Sequence, residues 1–106
     1  MTIDLQGTHL ELTSAIREYV EQRFQPFEKL VVKWDLNDGL VLKIELARTT
    51  SHHHKGNVFY AEANLALPKK HLRVEKTDAD IRAAIDALKD TLRQDITKYK
   101  EMHSDH

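Results

Sequence analysis

The chain has 106 residues, of which 41 % are hydrophobic, enough for one compact domain with a modest core. Sixteen Lys and Arg residues against seventeen Asp and Glu residues give a formal net charge of −1, so affinity for a polyanion must come from how the charges are distributed. The chain contains no cysteine, which excludes disulfides and cysteine nucleophiles. No stretch predicts a signal peptide or a transmembrane helix, so a cytoplasmic protein is expected.

The first part of the chain predicts a strand followed by a helix. Residues Thr2 to Gly7 alternate apolar and polar side chains, as a half-buried strand does. From Thr13, whose hydroxyl suits an N-cap, apolar residues recur at helical spacing. Pro26 predicts a kink or an early end at residues 23–25, because proline removes a backbone hydrogen bond and clashes with the preceding turn. The core-facing stripe of this helix is Ile16, Tyr19, Val20, Phe24, Phe27 and Leu30.

Residues 31–39 are interpreted as a connection into a sheet, with Trp34 at the edge of the core. Three strands are then predicted from in-phase apolar residues. These strands are Leu40 to Ala47, Val58 to Leu67 and His71 to Glu75. The tracts between them, 48–57 and 68–70, have the composition of hairpin loops, which favours antiparallel pairing of consecutive strands.

Residues Thr77 to Lys100 predict a long final helix, opened by a capping box of Thr77 and Asp80. The order β-α-β-β-β-α predicts an α+β fold, with two helices packed on one face of a four-stranded, mostly antiparallel sheet. Residues 1–100 are expected to form a single domain, and residues 101–106 a frayed tail.

A row of cations lies beside the apolar face of the last helix. It consists of Arg82, Lys89, Arg93 and Lys100 and is called the cationic ridge below. These residues fall within about 40° of one another on a helical wheel. Such a ridge suits a polyanion, because each contact with a phosphate releases condensed counterions. The cations expected to extend it from the first helix are Arg17, Arg23 and Lys29. A solvated helix face is the alternative interpretation.

Other constellations predict neither a metal site nor catalysis. Three adjacent histidines, 52–54, would point to alternating sides of an extended chain and lack further ligands, so no metal or cofactor is predicted. With Arg48 and Lys55 they form either a loop that touches RNA or a solvated hairpin tip. No phosphate loop, nucleophile elbow or HExxH motif occurs, so neither an enzyme nor a small-molecule substrate is expected.

Strand carboxylates are interpreted as partners in cross-strand ion pairs. The residues concerned are Glu45, Glu62 and Glu75, with Lys43 and Arg73.

Three segments together resemble the ribosome hibernation-promoting factors, also called ribosome-associated translation inhibitors or ribosomal subunit interface proteins. The segments are IDLQGTHLELTSAIREYVEQRFQPFEKL, HHHKGNVFYAEANLALP and DADIRAAIDALKDTLRQDITKY. The resemblance covers nearly the whole chain and is closest to the short members of the family. It implies a single ribosome-binding β-α-β-β-β-α domain, similar to double-stranded-RNA-binding domains.

The resemblance further implies a non-enzymatic partner of the small ribosomal subunit, without membrane contact. Such a protein occupies the mRNA–tRNA channel near the decoding centre and places basic helix faces against 16S rRNA. Matched by position, the basic sites of this chain are Arg17, Arg23, Lys29, Arg93 and Lys98. The helical wheel adds Arg82, Lys89 and Lys100, and the histidine loop adds Lys55.

The sequence also departs from the family pattern. Pro26, Thr91 and Gln94 stand where basic residues are common, and Arg82 stands where an aromatic residue or valine is common. Fewer phosphate contacts predict weaker binding. Two alternatives stay open: a module for a structured non-ribosomal RNA, and a protein-interaction domain that binds no nucleic acid.

Overall fold

The computed structural model describes residues 1–49 and 58–103. Its elements follow the predicted order, with the first helical region divided in two. They are β1 (Thr2–Thr8), α1 (Ser14–Phe24), α2 (Phe27–Val31), β2 (Val41–Arg48), β3 (Phe59–Leu67), β4 (Lys70–Asp78) and α3 (Ile81–Met102). Two short 3-10 turns, Val32–Trp34 and Leu36–Asp38, connect α2 to β2.

The strands form one sheet in the order β1-β2-β3-β4. β2, β3 and β4 pair antiparallel, as predicted, whereas β1 pairs parallel to β2 and places Leu5 opposite Ile44. The parallel pairing arises because α1 and α2 carry the chain back to the starting end of the sheet before β2 begins. The prediction of a mostly antiparallel sheet is therefore confirmed.

The core lies between the helices and one face of the sheet. Alternate residues of each inner strand point to this face, among them Ile44 of β2 and Ala63 of β3, both buried. α3 packs across β3 and β4, and α1 lies beside α3. The buried side chains of α3 are Ala84, Ile85, Leu88, Leu92, Ile96 and Tyr99. Trp34 packs edge-on against Tyr99, with ring centroids 5.1 Å apart, which confirms its position at the core edge.

Both predictions about the first helix are confirmed. The Thr13 hydroxyl accepts a hydrogen bond from the Ile16 backbone N–H at 3.2 Å, so Thr13 is the N-cap. α1 ends at Phe24 and α2 starts directly after Pro26. The rings of Phe24 and Phe27 pack edge-to-face at 5.4 Å and are both buried. The break at proline therefore redirects the chain without exposing either ring.

The predicted start of the last helix is wrong. Thr77 belongs to β4 and pairs with Tyr60, so it does not form a capping box with Asp80. Asp80 is itself the N-cap and accepts a hydrogen bond from the Arg82 backbone N–H at 3.1 Å. At the other end α3 continues to Met102, two residues into the segment expected to be a tail. Residues 104–106 lie outside the described residues.

Gly7 lies where β1 passes very close to the chain that follows it. A Cβ built at this position would lie 2.6 Å from the Leu10 carbonyl oxygen and 2.9 Å from Leu12 Cγ. We expect Gly7→Ala to lower the free energy of unfolding by about 1–3 kcal/mol, because backbone atoms must move to admit the methyl group. Urea denaturation followed by circular dichroism measures this loss, and an unchanged midpoint would contradict the close approach.

Candidate nucleic-acid interface

The junction of α1 and α3 brings two arginines onto one tyrosine. The guanidinium carbons of Arg23 and Arg82 lie 4.2 Å and 5.3 Å from the centroid of the Tyr19 ring. The Tyr19 hydroxyl donates a hydrogen bond to Asp86 Oδ2 at 2.7 Å, and Arg23 Nε donates to Asp86 Oδ1 at 3.0 Å. These four side chains, called the Tyr19 cluster below, tie the two helices together.

The Tyr19 cluster keeps its hydrogen bonds and its positive charge at neutral pH. Burial, and then the hydrogen bond to Asp86, raise the pKa of Tyr19, so its hydroxyl remains a donor. The same carboxylate raises the pKa of Arg23 through its hydrogen bond. Two guanidinium groups against one carboxylate leave the cluster with an excess of positive charge. The Arg23 side chain is 35 % exposed, so a ligand can reach it.

The remaining ridge residues extend the positive surface along α3. Lys89 forms an ion pair with Asp90 at 3.4 Å and is half-buried. Such a surface pair contributes only about 0–1 kcal/mol, so the ammonium can exchange Asp90 for a phosphate. Arg93 and Lys100 are exposed and have no ion-pair partner within residues 1–49 and 58–103. The ridge therefore offers two unpaired cations beyond the Tyr19 cluster.

The structure does not gather all the sequence-predicted cations on one surface. Of the two predicted cations on α1, Arg23 faces α3, whereas Arg17 is exposed about 120° farther round the helix. Lys29 is exposed on α2. Lys98 lies about 160° round α3 from Arg82, on the flank next to β4. Lys55 lies outside the described residues, as do the three histidines.

Tyr19 and Asp86 were missed as site residues in the sequence analysis. The sequence pattern predicts Tyr19 as part of the core stripe and singles out no role for Asp86. One signal was present: Tyr19 and Arg23 are four residues apart, the spacing at which helical side chains touch. The contact with Asp86 depends on how α1 and α3 cross, which the sequence pattern does not contain.

The open face of the sheet carries one of the predicted cross-strand ion pairs, between Arg73 of β4 and Glu62 of β3, and a second ion pair within β4, between Arg73 and Glu75. Arg73 Nη2 lies 2.5 Å from Glu62 Oε1 and 3.2 Å from Glu75 Oε1. The hydrogen bonds from Arg73 lower the pKa of Glu62. Glu45 instead accepts a hydrogen bond from the Thr8 hydroxyl at 2.6 Å, and Lys43 has no ion pair with any described residue. The carboxylates make this face less suited to RNA than the helix face.

Residues 1–49 and 58–103 contain no group of three or more His, Asp or Glu side chains arranged to hold a metal ion. Over the same ranges, no helix combines the length and the apolar composition needed to cross a bilayer.

We expect Asp86→Ala to lower the free energy of unfolding by about 1–2 kcal/mol, because hydrogen bonds to charged groups are among the stronger ones. Asp90→Ala is the matched control. It removes the same charge one helical turn away, where the carboxylate contacts only Lys89. Its expected cost is below about 0.5 kcal/mol. Urea denaturation of both variants measures the difference, and equal midpoints would mean that Asp86 does not hold the helices together.

Comparison with known proteins places the chain in a family. Residues 3–104 match the family model described as sigma 54 modulation protein / S30EA ribosomal protein. The chain belongs to the S30EA family. It is 29 % identical over 107 residues to the ribosome hibernation promoting factor of Escherichia coli strain K12, and the match covers 100 % of both chains. It is also 31 % identical over 101 residues to the ribosome hibernation promotion factor of Lactococcus lactis subsp. cremoris strain MG1363, covering 92 % of this chain and 48 % of that one.

Solved structures of S30EA-type proteins share the fold. The crystal structure of the Thermus thermophilus Protein Y N-terminal domain matches with a TM-score of 0.72 and 34 % identity, over 93 % of this chain and 99 % of that one. A ribosomal subunit interface protein from Coxiella burnetii matches with a TM-score of 0.72 at 20 % identity, over 95 % and 99 % of the two chains, which supports the fold alone. The relatives named ribosome hibernation promoting factors make the S30EA family one of ribosome hibernation factors, which are regulatory proteins.

Proposed function

We propose that this protein inhibits translation by binding the small ribosomal subunit in the mRNA–tRNA channel near the decoding centre. The Tyr19 cluster and the cationic ridge contact phosphates of 16S rRNA, and the bound protein excludes mRNA and tRNA. The observation that carries this proposal is the pair of guanidinium groups on Tyr19, continued along α3 by Arg93 and Lys100. Membership of the S30EA family supports the ribosome as the partner. In this role the protein acts in the cytoplasm.

The dimensions of the ridge suit a nucleic-acid strand. Residues 82 and 100 are about 27 Å apart along the helix axis, and the intervening cations are separated by about 6–10 Å. Several successive phosphates of one strand can therefore contact the ridge together. With a net charge of −1, the protein gains little from long-range attraction, so its affinity comes from these local contacts.

The departures from the family pattern affect the ridge less than the sequence suggests. Thr91 lies about 180° and Gln94 about 120° round α3 from Arg82, so neither position belongs to the ridge. Pro26 is the residue before α2 and is exposed at the corner between the two short helices. A chain lacking these three basic residues therefore retains the whole ridge.

Co-sedimentation with purified small ribosomal subunits across a salt series tests the proposal. Four phosphate contacts predict a log–log slope of about −3, equivalent to a roughly 60-fold weaker association at about 200 mM than at about 50 mM salt. Binding that is indifferent to salt would indicate an apolar protein interface instead. Equal affinity for an unrelated structured RNA would favour a module acting outside the ribosome.

A further inference from the structure

The two edge strands of the sheet differ in charge. β4, at one edge, carries the cations Lys70, Arg73 and Lys76. Charged side chains of this kind keep an edge strand from pairing with another chain. β1, at the other edge, has the sequence TIDLQGT, in which Asp4 is the one charged residue. The outer side of β1, called the β1 edge below, therefore lacks this protection.

The β1 edge presents unpaired backbone groups. The Thr2 N–H donates to the Leu40 carbonyl oxygen at 2.9 Å, so Thr2 points its backbone groups toward β2. Along a strand in parallel pairing, successive residues alternate in the side to which both backbone groups point. Ile3, Leu5 and Gly7 therefore point their N–H and C=O groups outward, where no hydrogen bond reaches them from the described part of the chain.

The spacing of these outward groups fits a second copy of β1. Two antiparallel copies related by a twofold axis at Leu5 place Leu5 opposite its own equivalent and Ile3 opposite Gly7 of the other copy. Both are hydrogen-bonded pairs of an antiparallel ladder, so the N–H and C=O groups of all three residues find partners. This register uses the whole strand from Thr2 to Thr8.

The side chains of β1 also match in this register. On the open sheet face, Asp4 lies opposite Gln6 of the other copy, so a carboxylate meets an amide donor and no like charges meet. On the helix face, the half-buried Leu5 side chains of the two copies meet. Ile3, also half-buried, meets Gly7, which has no side chain to clash with it. Pairing of the two strands thus removes apolar surface from water.

The outer flank of α1 is self-complementary in charge. Arg23 faces α3, and Arg17 and Glu21 lie about 120° and 160° round α1 from it, so they face past β1. Both are exposed, and neither has an ion-pair partner among the described residues. The twofold axis makes α1 antiparallel to its copy, which brings each Arg17 toward Glu21 of the other copy.

The strand and the helix fit the same axis. α1 begins soon after β1 ends and runs back along it. The midpoint between Arg17 and Glu21 lies about 8 Å from the start of α1, and Leu5 lies about 10 Å from the end of β1. One twofold axis can therefore pass through the centre of both pairings.

We propose that the β1 edge is a self-association surface, through which two copies of this protein join their sheets into one. The contact closes on itself, because both copies use the same strand, and the cations of β4 prevent further growth at the outer edges. The interface is small, so the dimer forms reversibly at high protein concentration. α3 packs across β3 and β4, which leaves both cationic ridges uncovered.

Sedimentation equilibrium of the purified protein without RNA, from about 10 µM to about 1 mM, tests this proposal in the range where weak dimers form. The average mass should rise with concentration from 12.3 kDa towards twice that value. Gln6→Lys should tighten the dimer about 2- to 30-fold, because each Asp4 then meets a cation of the other copy. Gln6→Glu should weaken it by a similar factor, since two carboxylates then meet.

A charge swap on α1 tests the same register with different residues. Arg17→Glu places like charges against each other across the axis and should weaken the dimer about 2- to 30-fold. The double variant Arg17→Glu/Glu21→Arg brings opposite charges together again and should recover the original association. Gln94→Lys and Gln94→Glu are matched controls, because Gln94 is exposed on α3, away from β1.

Two results would overturn the proposal. One is a mass that stays at 12.3 kDa up to the highest concentration. The other is a dimer that responds to changes at Gln6 and Arg17 no more than to changes at Gln94, because a different surface must then form it. Tighter association of Gln6→Lys supports the β1 edge and cannot result from misfolding. Circular dichroism of Gln6→Glu and Arg17→Glu should match that of the unaltered protein, since both positions are exposed.

Discussion

Reversing the charge of three ridge residues, Arg82→Glu, Lys89→Glu and Arg93→Glu together, is expected to abolish co-sedimentation with small ribosomal subunits. Each lost phosphate contact lowers affinity about five- to ten-fold at about 0.1 M salt, and each new carboxylate repels the phosphates. The lost contacts and the new repulsion together predict that affinity for the small subunit falls more than about 100-fold. Sedimentation of the variant with small subunits at low salt measures it.

The fold of this triple variant should survive. Arg82 and Arg93 are exposed, and Lys89 is half-buried with its ammonium group paired to Asp90 on the surface. Glutamate near the start of α3 also interacts favourably with the helix dipole, which offsets its proximity to Asp86 by a few tenths of a kcal/mol. The circular dichroism spectrum should therefore match that of the unaltered protein, with a lower thermal midpoint because the contact of Arg82 with Tyr19 is lost.

A pair of single variants controls for net charge. Arg93→Glu and Lys43→Glu each reverse one exposed cation that has no ion pair among the described residues. Only Arg93 belongs to the ridge, so only its reversal should weaken binding markedly. If both variants bind alike, or if the triple variant still pellets with small subunits, the ridge is not the surface that meets rRNA.

Truncating Phe24 to alanine is expected to lower the free energy of unfolding by about 3–5 kcal/mol. Phe24 is fully buried and packs edge-to-face on Phe27 at the corner where α1 gives way to α2. Removing the Phe24 ring leaves a cavity. The chain at the corner, where Pro26 separates α1 from α2, cannot move in to fill it. Domains of this size are stable by only about 5–15 kcal/mol, so the variant should melt far below the unaltered protein.

Two measurements test whether the effect of Phe24→Ala comes from the loss of buried volume. Phe24→Leu retains most of the apolar volume and should cost about 1.5 kcal/mol or less. At a temperature where Phe24→Ala is still folded, it should bind small subunits normally, since Phe24 does not reach the surface. A loss below about 1 kcal/mol for Phe24→Ala would show that the corner contributes little to the core.

Periodicity made most of the fold predictable. The alternation around Leu42, Ile44 and Leu46 marks a strand with one buried face, and all three are buried. The direction of β1 could not be predicted in this way, because an alternating strand looks the same whether it pairs parallel or antiparallel. The start of α3 was misjudged because Thr77 has the right residue type for a cap but lies within the β4 ladder.

The site was predictable only as far as helix geometry determines it. The ridge residues share a flank of α3 because that helix is regular from Ile81 to Met102. The partners of Arg23 and Lys89 depend on side-chain conformations and on the approach of α1, which a helical wheel does not contain. Lys98 is predicted as an RNA-binding residue only through the family resemblance, and its angle on the wheel places it on the flank opposite the ridge.

If the Tyr19 cluster binds RNA as proposed, the carboxylate of Asp86 limits the strength of that binding. Any phosphate that approaches Arg23 must compete with a counter-ion that the protein itself supplies at 3.0 Å. The free energy gained is the difference between the attraction of Arg23 to the phosphate and its attraction to Asp86, and these two are similar. Under the proposed function, Asp86 rebinds the Arg23 guanidinium when the RNA moves away. This competition shortens the lifetime of the complex, so inhibition of translation would be easy to reverse.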